Sequence, residues 1–380
     1  MTRREWLALC GMAVAGGCAP KKGAGYPGYA LIATSGDNSL SAVDLSDFKL
    51  AKTIRLNAPP TAVVPAAGTR VNYVLTPSNG SLHIVDEHLN VVASKRLADE
   101  LSEVRLMPGG KELMAIPAHG RELILADAER LSVLRRYRLN ADPVALEVSE
   151  AGCAAVSTGE HGSVELVDTA TGRHYETALQ APLGQLRFRG DGKLLLTANL
   201  GSNALTALTV PGLQVIADLA LAMRPENLCF NFDQGQLFVS GPGMDAVAIV
   251  FPYNTLEVDQ TVLAGRQPGV MACSESPQYL FVASDSGSGV WILNVDSRKL
   301  VGLVQAGQKP SYIVVTPDSQ YALVLDESSG DMAVIHIPEI QTNRSKSGVM
   351  PGWASVSVPL FAMLSVGDRP VHAAVVPRAV

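Results

Sequence analysis

The sequence AGRQPGVMACSESPQYLFVASDSGSGVWILNVDSRKLVGLVQ, residues 264–305, contains in full the unit from which the chain is built. Four short apolar runs, rich in β-branched and aromatic residues, alternate with clusters of Gly, Ser, Asp and Pro. Apolar runs of this kind predict strands, and the clusters between them predict tight turns. The unit is therefore expected to fold as a four-stranded antiparallel meander.

The unit recurs about every 42 residues from Tyr29 onward. Its second strand is found eight times, at residues 29–33, 72–76, 112–116, 154–158, 194–198, 237–240, 280–283 and 321–325. Its third strand is also found eight times, at residues 39–45, 81–87, 122–128, 163–169, 204–210, 246–252, 290–296 and 331–337. A single meander has nothing to bury its apolar faces against, so the copies are expected to pack on one another.

The first strands of the unit begin near Thr61, Leu101, Pro143, Leu183, Glu226, Gly269, Ser311 and Val371. The last of these has no second strand after it, whereas residues 29–56 supply strands two to four with no first strand before them. Pairing the two chain ends would remove the open edges of the array. We therefore predict an all-β fold, a β-propeller closed by the C-terminal strand, with eight blades favoured and seven as the alternative. Residues 340–355 are predicted to form a long loop in the last unit.

The first residues have the pattern of an export signal. Arg3 and Arg4, followed by the apolar run at 7–15, resemble a twin-arginine signal, and Ala-Gly-Gly before Cys18 resembles a bacterial lipobox. The predicted domains are a signal peptide at 1–17, a Gly-rich tether at 18–28 and one propeller at 29–380. The resemblance implies a lipid on Cys18 and an outer-membrane location facing the periplasm. A plain secretory signal, cleaved nearby, is the alternative.

Composition and net charge argue against one class of partner. Hydrophobic residues make up 47% of the chain and charged residues 17%, which leaves ample material for buried sheet faces. The formal net charge is −6. A nucleic-acid partner requires a concentrated basic surface, so the acidic balance argues against one.

The repeats resemble a known family. The run Asn-Tyr-Val-Leu-Thr at residues 72–76 and the Gly-x-x-Pro turns that begin at Gly265, Gly307 and Gly367 are similar to the YVTN family of bacterial β-propeller repeats. The resemblance implies the fold more strongly than a function, because similar proteins include binding proteins, surface-layer proteins and lactonase-like enzymes. The Trp-Asp dipeptide of WD40 repeats is absent, and three Trp are too few for a quinoprotein propeller.

One acidic position repeats along the chain. Asp44, Asp86, Asp127 and Asp168 all end a third strand. A carboxylate at such a position can accept hydrogen bonds from the N–H groups of the following turn. We therefore predict a structural role for these four residues.

The cysteines after the lipobox give no metal or haem signature. Cys153, Cys229 and Cys273 have neither CxxC nor CxxCH spacing. Cys229 and Cys273 belong to first strands of adjacent units, but they lie at different distances from Pro225 and Pro268. A bridge between them is therefore not expected, and buried free thiols are predicted.

The candidates for catalysis lie near turns. His119, Glu160 and His161 belong to successive units and open on the same face, with His83 nearby, so a metal or acid/base cluster is conceivable. Solvated loop residues are the competing interpretation, and no histidine pair has ligand spacing within one element. The chain contains no Gly-x-Ser-x-Gly elbow and no phosphate-binding loop, so neither a cofactor nor a metal is predicted.

Four cations share another repeat position, in the turn before the first strand: Arg224, Arg266, Lys309 and Arg369. In a propeller these turns surround one mouth of the central channel. Converging positive charges there would attract an anionic ligand or an acidic protein loop. The competing interpretation is that the four cations only keep the surface soluble.

These observations together predict a lipid-anchored β-propeller of the cell envelope. It is expected to bind a small anionic ligand or an envelope protein without catalysing a reaction. The alternative is a lactonase-like hydrolase that uses His119, Glu160, His161 and Arg266.

Overall fold

The computed structural model describes residues 25–66, 71–180, 182–253, 255–287, 289–340 and 358–378. Eight sheets of four antiparallel strands make up this part of the chain, and each sheet is one blade of a propeller. The all-β prediction and the favoured count of eight blades are confirmed. No helix in these ranges is long and apolar enough to cross a membrane.

Each blade begins at the axis of the propeller. The innermost strands of blades 1 to 8 are, in order, β32 (Pro370–Pro377), β4 (Ala62–Pro65), β8 (Leu101–Leu106), β12 (Ala145–Val148), β16 (Leu183–Phe188), β20 (Asn227–Phe230), β24 (Pro268–Cys273) and β28 (Pro310–Val315). The second strands are β1 (Gly28–Thr34), β5 (Val71–Thr76), β9 (Glu112–Pro117), β13 (Cys153–Ser157), β17 (Leu194–Asn199), β21 (Leu237–Ser240), β25 (Tyr279–Ser284) and β29 (Tyr321–Asp326).

Two further strands complete each blade. The third strands are β2 (Ser39–Asp44), β6 (Ser81–Asp86), β10 (Glu122–Asp127), β14 (Ser163–Asp168), β18 (Ala204–Thr209), β22 (Ala246–Phe251), β26 (Gly289–Asn294) and β30 (Asp331–His336). The outer strands are β3 (Lys49–Arg55), β7 (Val91–Arg96), β11 (Val133–Arg138), β15 (His174–Ala178), β19 (Val215–Ala220), β23 (Glu257–Leu263), β27 (Lys299–Gln305) and β31 (Ala362–Ser365).

The ring closes where the sequence predicts. The C-terminal strand β32 pairs antiparallel with β1, with Gly28 opposite Pro377 and Ile32 opposite Ala373. Blade 1 is therefore built from both ends of the described chain. Closure leaves no blade without a neighbour, because every sheet face then packs against another blade.

The hydrophobic core is divided among the junctions between blades. Eight clusters of buried side chains lie in the described residues, one at each junction. At the junction of blades 7 and 8, for example, Phe281 is fully buried against Ile313. Both faces of each blade are apolar, which explains why the second and third strands read as nearly continuous apolar runs.

The Gly-x-x-Pro turns have a steric basis. Gly307 has a φ of +114°, a conformation that L residues with a side chain rarely adopt. A Cβ at Gly307 would also lie 2.0 Å from Oδ2 of Asp326. That carboxylate cannot move aside easily, because it accepts hydrogen bonds from the N–H groups of Lys309 and Gln308.

The structural role of the repeated aspartates is confirmed. Oδ1 of Asp86 accepts hydrogen bonds from the N–H groups of His88 and Asn90, at 3.0 and 2.8 Å. Asp44, Asp127 and Asp168 make the equivalent contacts with the turns that follow them. Two predictions lie outside the described residues: the N-terminal signal with its lipidation site at Cys18, and most of the loop predicted at 340–355.

Candidate ligand site in the central channel

Side chains of the innermost strands point alternately into a blade junction and away from it. In β8, Val104 is buried in the cluster between blades 2 and 3. Its neighbours Glu103 and Arg105 face the opposite way, toward blade 4 and the channel. Charged residues in β8, β12 and β16 therefore meet at the axis of the ring rather than at its surface.

Four charged side chains from three blades form one network. Arg105 pairs with Glu103 of its own strand, and its Nε lies 3.8 Å from Oε2 of Glu147 in blade 4. The same Oε2 lies 3.3 Å from Nη1 of Arg187 in blade 5. Glu147 therefore links the two arginines across the channel wall.

Three further polar contacts satisfy the open edges of innermost strands. An innermost strand has only one strand neighbour, so its other edge presents N–H groups that need acceptors. Glu103 accepts the N–H of Leu146 in the next blade, at 2.8 Å. Gln185 accepts the N–H of Leu228 in the same way, at 3.2 Å. These contacts assign Glu103 and Gln185 a structural role.

His372 makes the third contact of this kind. It also determines which atom donates in its hydrogen bond with Tyr312. Its Nδ1 accepts the N–H of Val63 at 3.3 Å, so in the neutral ring the proton is on Nε2. Nε2 lies 3.0 Å from the hydroxyl oxygen of Tyr312 and therefore donates to it. The hydroxyl proton of Tyr312 is left to point elsewhere. Burial, aided by the positive charge of Arg105, lowers the pKa of His372 to about 4.

The charges of Arg105 and Arg187 act on two other groups of the channel. Burial raises the pKa of Tyr312, and the charges of Arg105 and Arg187 oppose that rise although Tyr312 belongs to blade 8. Burial also raises the pKa of Glu147, against the lowering effect of the same two arginines. A half-buried carboxyl with a raised pKa beside two guanidinium groups is common at functional sites.

Some N–H donors of the Arg187 guanidinium are not used by the described residues. Its Nη1 donates to the carbonyl oxygen of Leu186 at 2.9 Å and contacts Glu147. Its Nε and Nη2 have no partner among the described residues, and its side chain is 30% exposed. A guanidinium group carries five N–H donors in a planar fork, so one side of Arg187 is available to a ligand in the channel.

Cys229 and Cys273 both pack against the cluster at the junction of blades 6 and 7. No bridge joins them, as expected, but the difference in offset does not place them in separate junctions. Between Pro268 and Met271 the register of β24 shifts by one extra residue, which compensates for the different distances from the two prolines. Both thiols are free, as predicted, but they are only half-buried, whereas Cys153 is buried.

The four cations predicted for the rim all lie in turns before innermost strands, of blades 6, 7, 8 and 1. Nζ of Lys309 and Nη2 of Arg369 lie 3.0 and 3.1 Å from the carboxylate of Glu327. Arg224 lies 3.5 Å from Glu226. Arg266 has no ion pair among the described residues. Within the described ranges the rim is therefore a surface of mixed charge, in which three of the four cations are paired with carboxylates.

The candidates for catalysis occupy exposed turns. His119 follows β9 and lies 3.6 Å from Glu100, in an open depression of about 710 Å³ on the outer part of blade 3. Glu160 and His161 lie in the short 3-10 turn Gly159–His161 of blade 4 and are exposed. No contact between His119 and either of them is found in the described ranges, so the structure does not assemble them into a cluster.

Comparisons with known proteins identify the fold. No protein-family model matches the chain, and no curated protein is similar to it in sequence. Among solved structures, the dihydro-heme d1 dehydrogenase NirN in complex with DHE has a TM-score of 0.76 at 13% identity, over 93% of this chain and 76% of NirN.

Two other similar structures come from unrelated functional classes. The C-terminal WD40 domain of Sif2 has a TM-score of 0.66 at 13% identity, over 82% of this chain and 87% of that domain. A Bacteroides fragilis protein proposed to be a 6-phosphogluconolactonase has a TM-score of 0.55 at 17% identity, over 83% of this chain and 97% of its own. At these identities the likeness shows a shared propeller fold and no function.

Proposed function

We propose that the protein is a non-enzymatic binding propeller whose central channel holds a small organic ligand with at least one carboxylate. The observation that carries this proposal is the half-coordinated guanidinium of Arg187, which is partly exposed in the channel. Arg105 lies in the same network, and Tyr312 on the opposite wall has a hydroxyl proton free to be donated. Two guanidinium groups and a hydroxyl together suit a carboxylate better than a neutral ligand.

Glu147 tunes the affinity of this site. Its carboxylate competes with a ligand for Arg187 and Arg105, and its raised pKa means that it loses its charge more readily than an exposed glutamate. An entering anion would favour protonation of Glu147, because two negative charges would otherwise share the two arginines. Binding is therefore coupled to the charge of Glu147.

The cations of the rim attract the ligand before it enters the channel. Arg266 has no carboxylate partner in the part of the chain that the structure describes, while Arg224, Lys309 and Arg369 are partly neutralised by Glu226 and Glu327. Exposed charges of this kind change association rates and salt dependence more than final affinity.

The envelope location is part of the same proposal. The resemblance of residues 1–18 to an export signal with a lipobox, and of the repeats to the YVTN family, supports a lipid-anchored protein facing the periplasm. Replacing Cys18 with Ala should release the protein from membranes, since the acyl chains on that residue supply the attachment. Continued fractionation of the variant with membranes after a high-salt wash would exclude the lipid anchor.

A lactonase-like hydrolase is the second candidate, and the likeness to the Bacteroides fragilis propeller is what favours it. Such an enzyme needs an acid/base pair within hydrogen-bond reach of its substrate. His119, Glu160 and His161 lie on exposed turns without contact to one another, so the channel network is the better candidate site.

Thermal-shift measurements with a small panel of acids test the proposal. Succinate, citrate and protoporphyrin IX span increasing size, and the porphyrin is included because NirN is named for a heme. At least one of them should raise the melting temperature of the wild-type protein, since a ligand that binds only the folded state stabilises it. Arg187→Gln should reduce that shift.

The matched control is Arg189→Gln. Arg189 follows Arg187 by two residues but pairs with Asp191 and donates to the carbonyl oxygen of Pro252, outside the network. It should keep the full shift. Equal responses of the Arg187 and Arg189 variants, or no response of the wild type to any acid, would contradict the proposal.

A further inference from the structure

We infer that Cys229 and Cys273 form a redox-active dithiol site, which a small disulfide compound converts to a disulfide joining blade 6 to blade 7. The inference does not depend on the proposed carboxylate ligand. It depends on the positions of two thiols that the fold brings together from adjacent innermost strands.

The two cysteines lie on adjacent innermost strands. β20 and β24 are neighbours around the channel. Cys229 lies opposite Phe238 in its blade, and Cys273 lies opposite Leu280 in the next. Both cysteines pack against the one cluster that contains Phe238 and Leu280. The thiols therefore enter a single junction from its two sides. The Cys229 thiol donates to the carbonyl oxygen of Phe230, 3.5 Å away.

The two thiols are not equivalent. Interaction with Cys273 lowers the pKa of Cys229, and the positive charge of Arg187 adds to this effect. The same interaction raises the pKa of Cys273 well above its ordinary value, and burial adds to the rise. Because the thiolate is the nucleophile in thiol chemistry, Cys229 is the attacking group and Cys273 the resolving group.

The reaction proceeds by two exchanges. The Cys229 thiolate attacks one sulfur of a disulfide RS–SR, forms a mixed disulfide and releases RS⁻. The Cys273 thiol then loses its proton and attacks Sγ of Cys229, which forms the protein disulfide and releases the second RS⁻. The protein loses two electrons and two protons, and the reagent is reduced to two thiols.

Accessibility distinguishes this pair from the third described cysteine. Cys229 and Cys273 are half-buried at the channel, whereas Cys153 is buried between blades 4 and 5. Burial raises the pKa of Cys153, and the charge of Asp168 raises it further. Cys153 therefore serves as an internal control that should not react in the folded protein.

The test uses folded full-length protein with 2-hydroxyethyl disulfide, followed by acid quench and peptide mapping. The wild type should yield a peptide pair cross-linked through Cys229 and Cys273, with Cys153 unmodified. Cys273→Ser should stop at a mixed disulfide on Cys229. Cys229→Ser should leave Cys273 slower to react than Cys229 is in the Cys273→Ser variant, because burial still raises the pKa of Cys273 and the charge of Arg187 lowers only the pKa of Cys229.

Three outcomes would overturn the inference. One is a wild-type protein whose two thiols stay reduced until it is unfolded. The others are a mixed disulfide that persists on the wild type without resolution, and equal reactivity of the two cysteines in the single variants. Melting curves of both variants, compared with the wild type, verify that the tested proteins are folded.

Discussion

His372 shows at the scale of a single residue how the ring uses polar side chains inside its channel. The imidazole accepts a backbone N–H from blade 2 and donates to Tyr312 of blade 8, so one side chain joins three consecutive blades. Only the neutral ring can make the first contact, since a protonated imidazole has no acceptor. The structure therefore makes folding sensitive to the charge of one histidine.

The charge of His372 is expected to lower the free energy of unfolding as the pH falls. The pKa of His372 is about 4 in the folded protein, against an ordinary value of 6.5. Between these two values the unfolded chain binds the proton more tightly, so the free energy of unfolding falls as pH falls. The contribution of His372 is complete above about pH 6.5 and amounts to roughly 3 kcal/mol, most of which is lost as pH falls to about 4.

His372→Gln tests the effect, because Gln185 makes the equivalent contact in blade 5 and shows that an amide fits such a site. Urea unfolding at about pH 7 should give the variant a stability within about 1 kcal/mol of the wild type. At about pH 4 the variant should be the more stable protein. Parallel pH profiles for the two proteins would contradict the assigned charge state.

Residues whose role is local could be predicted from the sequence. The repeated aspartates bond to the turn immediately after them, so the sequence contains both partners. Cys229 and Cys273 could not be placed in this way. Their meeting depends on an extra residue in β24, a backbone irregularity that the sequence does not mark.

Elements were predictable for a related reason. Strands and turns follow from period, β-branched residues and Gly or Pro, all of which act over a few residues. The charged residues inside β8, β12 and β16 could have indicated the channel network from the sequence. Charges are ordinary in exposed outer strands, but Glu103, Arg105 and Glu147 interrupt strands that the repeat pattern already places at the axis.

Closure of the ring by β32 gives a prediction at the scale of one element. Removing residues 369–380 leaves one edge of β1 without its partner and opens the clusters on both sides of blade 1. The truncated chain should aggregate or lose its single cooperative unfolding transition. Size-exclusion chromatography and urea unfolding followed by circular dichroism measure both properties.

A shorter truncation is the matched control. Removing residues 379–380 spares all of β32, so the protein should unfold as the full chain does. Adding a synthetic peptide of residues 369–380 to the longer truncation should restore part of the cooperativity, since the open edge can accept a strand. Identical unfolding curves for all three proteins would show that β32 does not close the ring.

At the scale of the whole molecule, the closed ring determines which charged side chains lie close together. The sequence places Arg224, Arg266, Lys309 and Arg369 in equivalent turns, and their positions before the innermost strands are as predicted. It does not show that Glu327, from the turn after a second strand, reaches both Lys309 and Arg369. Nor does it show that Glu147 joins arginines of two other blades, because only the closed ring brings those strands together.

The central claim is that the channel network, and not the rim alone, binds an anion. Glu147→Gln removes a competing carboxylate while an amide oxygen remains for Arg187, so this variant should bind a carboxylate more tightly than the wild type. Arg187→Gln should bind it more weakly. One charge in a partly buried site corresponds to about 1–2 kcal/mol, or roughly a five- to thirty-fold change in affinity.

A variant in which Arg224, Arg266, Lys309 and Arg369 are all changed to Ser distinguishes binding in the channel from binding at the rim. This rim variant should lose salt dependence of binding but keep most of its affinity at physiological salt, because exposed charges are screened there.

The most direct measurement is isothermal titration calorimetry at one pH and salt concentration, with the acid that most stabilises the wild type. We predict the affinity order Glu147→Gln, then wild type, then Arg187→Gln, with the rim variant close to the wild type. Equal affinities for both channel variants and the wild type, combined with loss of binding in the rim variant, would contradict a binding site in the channel.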